Sequence, residues 1–248
     1  MATKVILGNK EYPQGFLSES ELIKTLRKVS PPYIFLNDII DPLVYNGFGR
    51  LLRALDKPYV LCTSLAGYPG YLALKGNGIG GDRTFVKNCE MIHAFHISPQ
   101  DGGSFSLTQF LERLKHLVIA KYPITLYVPR SIKMEGVPYV LRDWLATTGA
   151  VQVGKWEDWL TVTGARKKRS CQGEQCVLGP KGLVYPCLAA VGGSFGKGIY
   201  AGPFEPDENG VISHPGREKC SLRRCPNDEH DAEVYGSYRF VQTTYNES

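Results

Sequence analysis

Apolar residues recur at regular spacing over the first two thirds of the chain, and the period alternates between helix and strand. In residues 17–29, Leu22, Ile23, Leu26 and Val29 fall on one helical face, Ser18 or Ser20 can cap it, and Pro31-Pro32 ends it. Tyr33-Ile-Phe-Leu36 then reads as a short buried strand. Leu43 to Leu55 reads as a second helix, stopped by Pro58, and Tyr59-Val-Leu-Cys-Thr63 as a second strand. Residues 64–90 are glycine-rich and read as irregular. Met91 to Ser98 is a strand, and Leu107–Ala120 a helix with Phe110, Leu111, Leu114, Leu117 and Val118 on one face. Pro123–Val128 is a strand, Pro138–Thr148 a helix and Val151–Trp156 a further strand. Strands alternating with helices predict an α/β fold with a parallel sheet, open or partly closed as a barrel.

The pattern changes near residue 165. Residues 166–231 carry five of the seven cysteines, many Gly and Pro, and almost no helical period. The expected organisation is an α/β domain over 1–165, then a small cysteine-rich, metal-bound domain over 166–248 that closes in a polar tail. No repeat of 20–50 residues is present.

Composition narrows the class. The chain of 248 residues is 43% hydrophobic and 21% charged, as in globular proteins. No apolar run is long enough to span a membrane, and residues 1–10 lack the apolar core of a secretory signal, so a cytoplasmic setting without membrane contact is expected. In a reducing compartment, cysteines serve metals or catalysis more often than disulfides. A net charge of +5 is only mildly basic. The one dense basic run, Arg166-Lys-Lys-Arg169, is a solvated loop, a contact for phosphate or an acidic partner, or a counter-charge to a nearby metal–thiolate site.

Several smaller features carry two readings each. Gly76-Asn-Gly78-Ile-Gly-Gly81 matches a dinucleotide-binding pattern by letter, but a loop near the sheet's carboxyl edge is the simpler expectation. Asp38 and Asp41, just after a strand, are candidates for acid–base work or for capping. His93 and His96, three apart on a strand, face opposite sides and make poor joint ligands. Trp144, Trp156 and Trp159 are core packing or a platform for a base or partner.

The cysteines are the sharpest signal. Cys171 and Cys176 are five positions apart, as are Cys220 and Cys225, and Cys187 lies between the pairs. Thiolates select zinc or iron–sulfur clusters, and two distant segments can close a four-thiolate site. A loose zinc ribbon leaves Cys187 unexplained. Cys62 and Cys89 stand apart from this group.

Cys171-Gln-Gly-Glu-Gln-Cys-Val-Leu-Gly-Pro-Lys-Gly182-Leu-Val-Tyr-Pro-Cys187, with ten residues and then four between Cys, Gly and Cys, resembles the opening of the SPASM/twitch domains of radical SAM enzymes. That resemblance implies an auxiliary [4Fe-4S] cluster held by Cys171, Cys187, Cys220 and Cys225, with Cys176 spare or displacing one of them. One cluster, as in the twitch form, fits the cysteines better than two. The order of elements from Phe16 to Trp159 resembles a radical SAM partial (β/α) barrel. The defining Cys-x3-Cys-x2-Cys motif is missing, and Asn37-Asp38-Ile-Ile-Asp41-Pro42 stands where the family has Gly-Gly-Glu. The implied chain has lost ordinary S-adenosylmethionine cleavage.

Three functions follow as expectations. The first is an accessory subunit whose cluster shapes a surface for a protein partner, such as another enzyme's subunit. The second is a non-radical enzyme using the cluster as Lewis acid or electron relay. The third is a zinc-stabilised nucleic-acid-binding protein using Arg166–Arg169.

Overall fold

The computed structural model describes residues 3–7, 17–36, 41–96, 106–129, 151–153, 176–185, 202–213 and 238–239. Six parallel strands lie side by side in chain order: β1 (Thr3–Ile6), β2 (Tyr33–Leu36), β3 (Tyr59–Thr63), β4 (Cys89–Phe95), β5 (Ile124–Pro129) and β6 (Val151–Val153). A seventh parallel strand, β7 (Val177–Leu178), pairs with β1 at the opposite edge, Val5 beside Leu178. It turns back antiparallel into β8 (Val184–Tyr185), and β9 (Tyr238–Arg239) pairs antiparallel with the end of β5.

The helices between these strands form one row: α1 (Glu19–Leu26), α2 (Phe48–Leu55), α3 (Tyr68–Ile79), α4 (Thr84–Asn88) and α5 (Leu107–Ile119). α1 touches α2, α2 touches α3, and α3 touches α5. Parallel crossovers are right-handed, and a strand order without reversal then keeps every helix on the same side. Val5, Phe35, Leu61, Ile92 and Ile124, aligned in register, form the sheet's half of the core beneath that row.

Two helices start as their sequences direct. Ser18 with Glu21 and Ser106 with Gln109 form capping boxes at α1 and α5, satisfying amides that a helix start leaves open. Phe110, Leu111, Leu114 and Leu117 are buried, as the period predicts.

Elsewhere the structure corrects the reading. The helix expected over 43–55 is split into a 3-10 turn, Pro42–Val44, and α2, because Tyr45 takes an extended conformation. Residues 64–90 are not irregular: they contain α3 and α4. Gly76 and Gly78 lie inside α3 and Gly80-Gly81 start the short connection to α4, so the cluster ends a helix and does not form the strand-to-helix turn of a nucleotide site. Helix propensity argues against glycine here, and packing overrides it. A Cβ on Gly78 would sit 2.2 Å from Ala120 Cβ, so only glycine lets α3 and the end of α5 approach so closely.

Residues beyond 165 also join this sheet. Besides β7, Leu178, Val184 and Ile212 belong to the same apolar core as Val5, and the Ser30 amide donates to the Gly210 carbonyl at 3.0 Å. The helix expected over 138–148, the three tryptophans and Arg166–Arg169 lie outside the described residues.

Candidate functional site

In parallel sheets, loops leaving the carboxyl ends of the strands carry ligand chemistry. Here those loops bring Asp41 after β2, Thr63 and Ser64 at the end of β3, and His96 after β4 to one edge. Asp38 lies outside the described residues.

Asp41 is buried and surrounded by donors. Its carboxylate accepts from the Leu43 amide at 2.8 Å, the Thr63 hydroxyl at 2.8 Å, the Ser64 amide at 2.7 Å, the Ser64 hydroxyl at 2.6 Å and the Ala66 amide at 3.3 Å. The Thr63 hydroxyl itself accepts from the Leu65 amide at 2.8 Å, which turns its proton toward Asp41. Burial pushes the Asp41 carboxyl up, and the donors, Ser64 foremost, pull it back; the net direction is upward. A carboxylate with its lone pairs so occupied has no acceptor left for a substrate. Asp41 therefore caps the 3-10 turn and ties the β2–α2 connection to the β3–α3 connection.

The knot extends to α5. Leu65 adopts φ 58°, and Arg113 donates to the carbonyls of Leu65 and Ala66. Its guanidinium lies over the rings of Tyr68 at 5.5 Å and Tyr71 at 5.2 Å. The Tyr71 hydroxyl lies 2.6 Å from His116 Nδ1. Burial first, then the charge of Lys75, holds the His116 imidazole below its ordinary range.

The sheet face turned away from the helices has different chemistry. Cys62, His93 and Thr125 occupy one register row across β3 to β5. Lys4 lies on the same face of β1, in the row of Ile34 and Val60, and is buried. Burial pushes the Cys62 thiol up, with the charge of Lys4 pulling against it. Cys89 is raised to about 12 by burial. With their pKa values pushed up by burial, neither thiol is a ready nucleophile near neutrality. His93 is half-buried on β4. His96, the first residue past the strand, is buried with its ring 5.4 Å from Phe110 in a T-shaped contact.

Of the cysteine set, Cys176 is described and Cys171, Cys187, Cys220 and Cys225 lie outside the described residues. Cys176 immediately precedes β7 and is buried within the apolar core. Between β7 and β8 the chain reverses through Pro180–Gly182, where Gly182 takes φ 70°, a conformation that favours glycine. Among the described residues, no three His, Cys, Asp or Glu side chains are grouped to hold a metal ion. Among the same residues, no helix is long and apolar enough to cross a membrane.

The burial of Lys4 was not legible, and its signal is a lysine at the head of the apolar run Val5-Ile-Leu7. The Arg113–Tyr71–His116 group has no local signal, because two helices supply it. Comparison with protein-family models, with curated proteins and with solved structures found no match to this chain.

Proposed function

We propose that the chain is an iron–sulfur protein resembling a radical SAM enzyme that has lost S-adenosylmethionine cleavage, and that it acts as an accessory, partner-binding subunit. The observation that carries the reading is the hairpin β7–β8. It lies between Cys171 and Cys187 in the sequence, and its turn places Gly182 of the Cys-x10-Gly-x4-Cys pattern at positive φ. A glycine needed there for a backbone reason accounts for the glycine in the pattern.

The strand order supports the same reading. Six parallel strands in sequence with helices on one side are the arrangement that curls into a partial (β/α) barrel. In this proposal Cys171, Cys187, Cys220 and Cys225 hold one [4Fe-4S] cluster. Cys176, buried in the same apolar core as Val5, Leu178 and Val184, stands outside that ligand set or displaces one member of it. The cluster would supply a fixed metal centre or a one-electron store. The chain's own part is to hold the cluster segment on the β1 edge through β7.

The test is iron, sulfide and zinc content with the visible spectrum of protein purified without oxygen. Iron and sulfide in cubane proportion, with absorbance bleached by dithionite, is the expected result. Zinc in a colourless protein overturns it and moves the zinc-stabilised nucleic-acid reading to the front.

A further inference from the structure

Surface helices of an α/β fold turn polar residues outward. α1 and α2 do so: Glu21, Lys24 and Arg27 are exposed on the first, Arg50 and Arg53 on the second. α3 does not. Tyr68 is 56% exposed, Leu72 43% and Ile79 58%, and their spacing of four and seven puts them on one face. Ile119, 57% exposed, ends α5 beside Ala120, the residue against which Gly78 packs. The close approach of Gly78 to Ala120 thus brings together the two helix ends that carry Ile79 and Ile119, each the next residue in sequence to one of that pair.

Charge around this stripe has one predominant sign. Lys75, Arg83, Arg113, Lys115 and Lys121 lie on the two helices and at their ends, against Glu112 and Asp82. Lys75, Glu112 and Lys115 all act on His116 of α5, two cations against one carboxylate. The carboxylate of Asp82 bonds Thr84 and faces Arg53 and Lys87.

We infer that the exposed face of α3 and the end of α5 is a docking surface for an acidic amphipathic helix of a protein partner. Such a helix would set apolar residues at i, i+3, i+4 and i+7 against Leu72, Ile79 and Ile119, and Glu or Asp against the lysines. A second copy fits poorly, because a two-fold interface sets the same patch on itself and opposes like charges. Single-stranded nucleic acid would need aromatic faces for stacking, which Leu72, Ile79 and Ile119 lack, and a duplex backbone, met by charge, leaves those apolar side chains without a partner. This inference does not depend on the cysteine segment.

The test uses the full chain and three helical peptides of about 18 residues: an acidic one with a Leu stripe, its Lys-flanked counterpart, and a scrambled acidic one. The acidic amphipathic peptide should bind roughly tenfold or more tightly than either control, more weakly as salt rises. Leu72→Glu with Ile79→Glu, or Ile119→Glu alone on the other helix, should abolish that difference while circular dichroism stays unchanged. Lys75→Glu with Lys115→Glu should shift preference to the basic peptide. Equal binding of acidic and basic peptides, or no binding, overturns the inference. So does co-sedimentation with phosphatidylserine vesicles, or a dimer in sedimentation, that is lost in the Leu72→Glu/Ile79→Glu chain.

Discussion

The two faces of the central sheet come from the same strands, one residue out of step, and carry opposite chemistry. Toward the helices stand Val5, Phe35, Leu61, Ile92 and Ile124, apolar without exception. On the other side Ile6 and Leu36 share the surface with Lys4, Cys62, His93 and Thr125, and the Thr125 hydroxyl donates to Met91 Sδ at 3.3 Å. Burial alone does not separate them, since Lys4, Cys62 and Thr125 are buried too. What separates them is the partner surface: the row of helices offers mainly apolar stripes, and the hydroxyls admitted on that face, those of Tyr33 and Tyr59, donate to the backbone carbonyls of Leu26 and Phe85. The aromatic and aliphatic bulk of the core lies on one face, while Lys4, Cys62 and His93 stand on the other.

Substitutions can break that contrast. Phe35→Ala, beneath the helices and packed edge-on against Phe48 at 5.6 Å, should cost about 3–5 kcal/mol in urea unfolding. Asp41→Ala at the sheet's end should cost roughly 3 kcal/mol, because it strips an acceptor from the buried amides of Leu43 and Ser64. Asp41→Asn, which keeps one acceptor oxygen, should lose less. Cys62→Ala, on the face away from the helices, should cost only about 1 kcal/mol, the loss of one buried heavy atom. A Cys62→Ala loss as large as that of Phe35→Ala would erase the contrast.

The smallest effect is on the surface, in pH. His116 has its pKa lowered in the folded chain, so the folded state binds fewer protons than the unfolded state between the two values. Its contribution to stability is therefore complete above the unfolded value and is lost as pH falls through it toward the folded one. Urea midpoints taken from pH 7 down to pH 5 should fall less in His116→Gln than in the natural chain. Equal falls would remove His116 as the cause.

Much of the α/β region was legible because its signals are local. Ser18 and Ser106, with their partners three residues on, mark two helix starts, and the apolar period of α5 matches its buried face. The strands β2 to β5 announce themselves as short apolar runs bounded by Pro or turn residues. α3 was hidden by its glycines, whose reason lies at Ala120, some forty positions away. The Asp41 knot was legible only as a cap; its ties to Thr63 and Ser64 join two separate connections.

By itself the sequence determined the alternation of helix and strand, the caps and the cysteine pattern, because periodicity and capping act over one or two turns of chain. Tertiary structure alone decided that β7 lies beside β1, that a glycine-rich stretch is a helix, and that Lys4 and Cys62 share a face. Each of these depends on which distant segments meet, and no local propensity encodes a meeting between residues a hundred positions apart.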